Sequence, residues 1–422
     1  FVSIFRSEFL LTILAVSIFT GILAGTYPAL FLSSLQPIRI LKEKFQSTGK
    51  GSLLRKVLVV FQFTLSIIII VGTIVMLKQM QFMRNRNLGY DKEQLVYLPL
   101  NTETQKSYSQ LKRILQDDPL ILGVTGTYQM PTSMSANAGG AQWQGKDPEF
   151  NPLITYGAVD YDYCETMKIP LVDGRTFSRE FSTDSTNAVI INEEVAKLMG
   201  AESVLGKEFA WANDGTIIGV VKNYHFQRVQ RAIEPIAIYL SPGEVNYAVI
   251  RLTAGRILES IEHVKQIWDN IYPAYPFEYK FFDEDFAQMF DKDERLISIF
   301  SYASFFAIMV ACLGLFGLAS FIAELRTKEI GIRKTLGASI FGITFMFSKE
   351  FLQWIVIANI IALPSAYFIM NGLLEDYAYR TSLSMWIFVF TFILSLFIAL
   401  ITISYQTINA ARANPVDSLK NE

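Results

Sequence analysis

Histidine and cysteine are scarce in this chain of 422 residues, which contains two of each. Gly-x-Ser-x-Gly, His-Glu-x-x-His, paired-cysteine and Walker-type motifs do not occur, so the common hydrolase, metalloprotease and nucleotide-binding sites are not expected. Cys164 lies in the polar middle of the chain and Cys312 in an apolar run, so we expect no disulfide between them. We therefore predict no catalytic, cofactor-binding or metal-binding residues in this chain.

Charged residues are also few, at 18% of the chain compared with roughly 25% in soluble domains. The formal net charge is −2, so no global basic field favours nucleic acid as a partner. The chain begins at Phe1 without a basic region and a cleavage site, so its start is not typical of a signal peptide. We expect it to be part of a longer protein. Hydrophobic residues, in contrast, make up 51% of the chain.

Long apolar segments dominate the sequence. A bilayer is crossed by about 20 mostly apolar helical residues. Five segments meet this length, at 10–32, 57–77, 296–323, 351–374 and 383–408. The fold class predicted is a polytopic α-helical membrane protein with an α+β extracytoplasmic domain.

The charges of the connecting segments predict the orientation. Positively charged loops lie in the cytoplasm. The linker 34–56 and the loop 324–350 are net basic, whereas the block 78–295 is net acidic. We therefore place the linker, this loop and the tail 409–422 in the cytoplasm. We place the block 78–295 and the short loop 375–382 on the extracytoplasmic side of the membrane.

The exits of the first and fifth spans resemble each other. Residues 37–42 and 415–420 both follow the pattern Pro-x-x-x-Leu-Lys, in which a proline ends the helix and a lysine follows on the inner side. We interpret residues 1–33 as carrying the last transmembrane helix of a first repeat. Residues 57–422 would then form a complete second repeat.

The block 78–295 has the short strands and amphipathic helices of an α+β domain. We predict strands at 95–100, 188–192, 216–221, 236–240, 247–252 and 277–282. We predict helices at 107–115, 193–199 and 257–271, and a long loop at 131–151. Residues 78–88 and 281–295 would be the stalks that join this domain to the spans.

The inner loop after the third span carries the most informative pattern. On a helix, its charged residues would share one side, and Ile332, Leu336 and Ile340 would form an apolar stripe. An amphipathic helix beneath the membrane and an ordinary basic interfacial loop both fit this pattern. The candidate residues are Arg326, Lys328, Glu329, Ile330, Gly331, Ile332, Arg333, Lys334, Leu336, Gly337 and Ala338.

Residues 326–338, with the sequence RTKEIGIRKTLGA, resemble the signature of the FtsX/MacB-like ABC transporter permeases. The tail 414–419 also resembles the ending of that family, and the order of one span, a large external domain and three spans agrees with it. The resemblance covers residues 57–422. It implies a permease of the inner, cytoplasmic membrane that lacks catalytic activity of its own and whose external α+β domain is of the periplasmic core domain type. It also implies that residues 326–338 form a coupling helix on a cytoplasmic ABC ATPase dimer, which binds the ATP and magnesium.

The resemblance further implies mechanotransmission, in which movement of the ATPase passes through the spans to the external domain for efflux or the handling of an envelope substrate. Tight helix packing would be required, and small residues at short spacing allow it. The candidates are Gly21, Gly25, Ala307, Ala311, Gly314 and Gly317. Helix flexibility from the glycines is an equal alternative.

Two other classes of function stay open from the sequence. The first is a membrane scaffold or signal transmitter that regulates cell-envelope partners without transport. The second is a membrane-bound enzyme that uses His225 and the neighbouring Tyr224, although these lack a recognisable set of partners. A second permease half or copy, envelope proteins and membrane lipid are the other partners that we consider, and the substrate is not predicted.

Overall fold

The computed structural model describes residues 49–200, 203–210 and 214–412, with scattered positions between 11 and 26. Most of the predicted span 10–32, the first part of the linker and the tail beyond residue 412 lie outside the described residues. The chain divides into two compact units, Phe1–Phe61 and Gln62–Glu422.

Among the described residues from 49 onward, twelve helices and twelve strands follow one another. The helices are α1 Gly49–Arg84, α2 Thr102–Lys106, α3 Tyr108–Gln116, α4 Tyr163–Met167, α5 Asp184–Asn187, α6 Glu193–Met199, α7 Ile257–Ile271, α8 Phe282–Gln288, α9 Asp291–Leu325, α10 Thr327–Thr335, α11 Ile340–Glu375 and α12 Met385–Arg412. The strands are β1 Leu95–Pro99, β2 Ile121–Thr127, β3 Asn137–Ala138, β4 Gln142–Trp143, β5 Ile154–Val159, β6 Leu171–Gly174, β7 Ala188–Asn192, β8 Glu208–Ala210, β9 Asp214–Val221, β10 Ile236–Leu240, β11 Tyr247–Leu252 and β12 Lys280–Phe281.

Four of the described helices are long and apolar enough to cross a membrane. These candidate spans are Arg55–Arg84, Asp291–Leu325, Phe341–Glu375 and Met385–Ile408. A helix rises about 1.5 Å per residue, so each exceeds the ~30 Å thickness of a bilayer core. Their order around one α/β domain confirms the predicted fold class.

All twelve strands of the external domain belong to one mixed sheet. The main order is β12-β1-β11-β2-β5-β10-β7-β9-β8-β4, with β3 added to β5 and β6 added to β9. The pairs β5–β10 and β7–β9 are parallel and the other pairs are antiparallel. Helices α3 and α7 cover one part of the sheet, where Leu111 and Trp268 pack with Val96 and Ile250 in a buried apolar core.

The six strands predicted from the sequence occur, but six others were not predicted. The predicted strand 277–282 pairs only at Lys280–Phe281, because α8 begins at Phe282. The longest unpredicted strand is β2, which contains two glycines. A Cβ atom at Gly126 would lie 2.6 Å from Val245 and 2.9 Å from the Tyr108 hydroxyl, so packing explains this glycine in a strand.

Candidate coupling site and outer junction

The segment that carries the family-like signature folds as a short helix between two membrane-spanning helices. Helix α10, Thr327–Thr335, begins directly after α9. Arg326 at its start forms an ion pair of 3.2 Å with Glu350 of α11, and Glu329 pairs with Arg333 at 2.9 Å across one turn. These contacts tie α10 to itself and to the beginning of α11.

The end of α10 is a tight turn. The Leu336 and Ala338 backbone amides donate to the carbonyls of Ile332 and Arg333, and Gly337 has a φ of +90°. A residue with a side chain is strained at that φ, so the glycine suits this turn. The Ser339 side chain then caps the start of α11 by accepting from the Gly342 amide.

The apolar residues of this segment divide into a buried and an exposed set. Ile330 is 4% exposed and packs with Ile343 and Phe347 in a small apolar cluster. Ile332 is about half exposed, and Leu336 is 81% exposed. The predicted stripe is therefore wrong in one respect: Ile340 belongs to α11, because the turn at Gly337 interrupts the helix.

The other residues proposed for coupling have different surroundings. Gly331 is buried, whereas Gly337 and Ala338 are exposed in the turn. Arg333 also contacts the Met346 sulfur, at 3.0 Å. The Lys328 side chain lies outside the described part of the structure. All of these residues lie in α10 or in the turn that follows it.

The small residues proposed for helix packing do not all make close contacts. Ala311 is buried, and a Cβ atom at Gly314 would lie 2.6 Å from the Gln62 amide oxygen of α1. Gly317 has open space at that position, and Ala307 is half-buried. Close approach of helices therefore accounts for Gly314 rather than Gly317. In the first unit, Gly21 also has open space among the described residues, and Gly25 lies outside them.

At the opposite ends of the spans, the loop between α11 and α12 is hydrogen-bonded to α1. The Gln79 side chain is fully buried; its Nε2 donates to the Tyr379 carbonyl at 2.7 Å, and its Oε1 accepts from the Thr381 amide at 2.8 Å. Lys78 Nζ adds a bond of 3.3 Å to the Ser382 carbonyl. Sequence reasoning missed this contact, although a glutamine in the last turns of an apolar helix is a signal for a polar partner.

The same loop contacts the external domain through the segment between β9 and β10. The Ala378 amide donates to the Gln230 carbonyl at 3.0 Å, and the Ile233 amide donates to the Tyr379 hydroxyl at 3.4 Å. Gln230 Nε2 also donates to Asp293 Oδ2 of α9, at 3.0 Å. One short loop therefore joins two spans to the sheet domain.

The ends of α1 and α9 are themselves part of the core of the domain. Met80 and Met83 of α1 and Ile297 of α9 are buried in one apolar cluster that also contains strand residues such as Ile190 and Ile238. Arg84 of α1 forms an ion pair with Glu294 of α9. We call this region, with the loop contacts of Gln79, Gln230 and Tyr379, the outer junction.

His225 lies in the outer junction rather than in an open catalytic cleft. Its ring packs edge-on to Tyr379, with the ring centroids 5.4 Å apart, and the Arg86 guanidinium lies 3.4 Å from the centre of the same tyrosine ring. Burial and the positive charge of Arg86 lower the pKa of His225 to about 4. Within the described residues, no group of three or more His, Cys, Asp or Glu side chains could hold a metal ion.

The four spans, the signature helix and the external domain define a multi-pass membrane component with a large extracytoplasmic domain. The family model of the FtsX-like permease C-terminal region matches residues 301–415. The family model of the MacB-like periplasmic core domain matches residues 57–264. The chain belongs to the FtsX/MacB-like family of ABC transporter permeases.

Individual relatives are more distant. The macrolide export ATP-binding/permease protein MacB of Haemophilus ducreyi is 25% identical over 279 residues, which are 63% of this chain and 40% of that protein. The chain thus spans less than half the length of this relative. The periplasmic region of MacB from Actinobacillus actinomycetemcomitans shares 12% identity, with 49% of this chain and 98% of that structure covered and a TM-score of 0.35. The extracellular domain of YknZ, a noncanonic ABC-type transporter from Gram-positive bacteria, shares 16% identity, with 44% and 97% covered and a TM-score of 0.31.

Proposed function

We propose that this chain is the non-catalytic permease component of an ABC transporter of the inner membrane, and that it passes movement of an ATPase to its external domain. ATP and magnesium would bind to the ATPase, which we place on a separate subunit. The name of the MacB relative, in contrast, combines an ATP-binding part and a permease in one protein. A separate ATPase subunit is therefore part of our proposal.

One observation carries this proposal: single helices run through the membrane and end inside the core of the external domain. Helix α9 is continuous from Asp291 to Leu325, and its outer end contributes Ile297 to that core. Because a helix is stiff along its axis, displacement at its inner end can reach the domain without a substrate path through the bilayer. The contacts of the outer junction oppose slippage between the spans and the domain.

Helix α10, the turn after it and the start of α11, which we call the inner hairpin, have the surface chemistry that a coupling site needs. Exposed Leu336 and Ile332 offer apolar contact, while Glu329 and Arg333 lie in the same short helix. Apolar anchors flanked by charges are typical of a helix that docks into a groove of another protein.

The second candidate is a scaffold that regulates envelope proteins by the same movement but transports nothing. The outer junction suits this function equally well, because it joins the spans to the domain and does not define a cargo path. ATP hydrolysis that rises when an exported compound is added favours transport. Hydrolysis that responds only to an envelope protein favours the scaffold.

The coupling function is tested with Leu336→Asp in the full-length permease, purified with its ATPase in lipid vesicles. We expect the rate of ATP hydrolysis to lose its dependence on the permease, while the unfolding temperature of the permease stays unchanged. Leu258→Asp is the matched control, because Leu258 is 83% exposed but lies on helix α7 of the external domain.

Ile330→Asp gives the second control, since Ile330 is buried in the cluster with Ile343 and Phe347. A charge at this position is expected to destabilise the hairpin, which separates loss of folding from loss of docking. Permease-dependent hydrolysis that survives Leu336→Asp and the double variant with Ile332→Asp would refute the docking site.

A further inference from the structure

A cavity of about 780 Å³ lies between the external domain and the outer ends of the spans. Its volume is within the range of small-molecule sites. Residues from four regions line it: the segment 132–135 before β3, the segment before β10, the α8–α9 region and the loop after α11. The charged residues in its wall are Arg228, Arg231, Asp285, Lys292, Asp293 and Asp376.

The charges around this cavity balance but do not pair. Three of the six side chains are cations and three are carboxylates. Over the described residues, none of the six forms an ion pair with another charged side chain within 4.0 Å. Asp293 accepts a hydrogen bond from Gln230, and this bond fixes one carboxylate in the wall. A wall with separated charges of both signs is complementary to a ligand that is itself neutral overall and carries both charges.

The position of the cavity relative to the membrane narrows the choice of ligand. Lys292 and Asp293 lie in the first turn of α9, and the apolar stretch of that helix begins at Leu296. Four residues of helix correspond to about 6 Å, which is the thickness of the polar layer on one side of a bilayer. Asp376 directly follows the last residue of α11. The cavity therefore lies at the level of the lipid headgroups.

The surface below the cavity is apolar. Ile299 and Phe306 follow Lys292 at intervals of seven residues, so the three lie along one face of α9. Both Ile299 and Phe306 are exposed. A ligand bound in the cavity can place an apolar tail along this face. A small soluble ion has no such tail.

We infer that this cavity binds a zwitterionic group that joins a phosphate to an ammonium, supplied by the headgroup of a phospholipid from the outer leaflet. Arg228 and Arg231 would hold the phosphate, because guanidinium groups donate two hydrogen bonds to such an oxyanion. The carboxylates of Asp293 and Asp376 would contact the ammonium. This inference does not depend on the proposed coupling to an ATPase.

Native mass spectrometry of the full-length permease, delipidated in detergent, tests the inference with three probes. These are phosphatidylethanolamine, phosphatidylglycerol and soluble glycerophosphoethanolamine. We expect the zwitterionic lipid to bind at least five-fold more tightly than the anionic lipid, because a purely anionic headgroup leaves the carboxylates unpaired. Glycerophosphoethanolamine that binds as tightly as the lipid would assign the same site to a soluble compound of this chemistry.

Variants of exposed residues keep the test independent of folding. Arg228→Ala with Arg231→Ala should weaken phosphatidylethanolamine at least ten-fold, and Asp376→Asn should reduce the preference over phosphatidylglycerol. Arg113→Ala, an exposed arginine of α3 outside the cavity, is the matched control. Equal binding of the two lipids by the unchanged protein, or a double variant that binds phosphatidylethanolamine like the Arg113→Ala control, would overturn the inference.

Discussion

The outer and inner ends of the membrane-spanning helices differ in how they are held. At the outer end, the buried Gln79 side chain and the backbone of the loop after α11 exchange two hydrogen bonds, and the spans share an apolar core with the domain. At the inner end, α10 has one small cluster around Ile330 and ends in an exposed turn at Leu336 and Gly337. The outer end is thus organised within this chain, whereas the inner end has an apolar surface that a partner could cover.

This difference has a mechanical meaning under the proposed function. A lever needs a fixed attachment at the end that does work and an accessible surface at the end that is pushed. Changes at the outer junction should therefore affect stability first, whereas changes at the exposed inner positions should affect coupling and leave stability intact. The predictions that follow test the outer half of this comparison.

Gly89→Ala should have the largest effect. Gly89 follows α1 with a φ of +82°, and a Cβ atom there would lie 2.6 Å from the Asn223 carbonyl oxygen and 2.7 Å from the Tyr224 Cα. Both neighbours are backbone atoms, so they cannot move aside as a flexible side chain can. We expect a loss of at least about 3 kcal/mol in the free energy of unfolding.

Thermal unfolding of the purified protein measures this effect. Gly243→Ala is the matched control, because no atom lies within 4 Å of its Cβ position and its φ is not in the left-handed region. Equal unfolding temperatures for the two variants would show that the chain between α1 and the domain is not tightly fixed.

Gln79→Leu should open the connection between α1 and the loop after α11. The change keeps the approximate volume but leaves the Tyr379 carbonyl and the Thr381 amide without their partner. Two unsatisfied groups at a buried site cost about 2 to 4 kcal/mol together. Amide hydrogen exchange should become faster at Thr381, while exchange in β11 of the sheet stays unchanged. Unaltered exchange at Thr381 would contradict the assigned role of Gln79.

The acid sensitivity of the outer junction should follow His225. The folded protein protonates this imidazole near pH 4, whereas its ordinary pKa is 6.5. Between these values only the unfolded chain takes up the proton, so stability is highest above pH 6.5 and decreases as the pH falls toward 4. The decrease should be about 3 kcal/mol, because each unit of pKa difference corresponds to about 1.4 kcal/mol.

His225→Gln should remove this slope between pH 6.5 and 4, as measured by chemical denaturation at several pH values. Asp91 and Asp184 provide an internal reference. Hydrogen bonds from Lys168 and Arg175, respectively, lower the pKa of these carboxylates below 3.8 despite their burial, so their contribution is lost only in stronger acid. An unchanged slope in the variant would place the acid-sensitive group elsewhere.

The regular helices with periodic sequence patterns could be predicted from the sequence, but the contacts between distant segments could not. Apolar length identified the four spans that the structure describes, and helical periodicity located α7 with the observed bounds Ile257–Ile271. The strand β2 was missed because Gly123 and Gly126 lower its β propensity. These positions need glycine because residues far along the chain pack closely against them. Local pattern carries information about local structure, and these contacts are not local.

The same limit applies to the candidate site. The residues of the inner signature are consecutive, so the sequence could single them out. The helix predicted there is shorter than expected, because Gly337 has a positive φ and forms an exposed turn between α10 and α11. The outer junction joins Gln79, Gln230 and Tyr379, which are more than 140 residues apart in each case. Without a fold, a lone glutamine near the end of a span indicates a polar contact but not its partner.

The ion pair between Arg84 and Glu294 should have the smallest effect on stability, although it links the two spans that enter the domain. The two side chains are 45% and 48% exposed, and exposed pairs contribute about 1 kcal/mol or less. A double-mutant cycle with Arg84→Ala and Glu294→Ala measures the coupling energy in detergent. A value above about 2 kcal/mol would mean that charge, rather than apolar packing, joins α1 to α9. We expect the small value, because Met80, Met83 and Ile297 already hold both helices in one core, and that core would survive the loss of the pair.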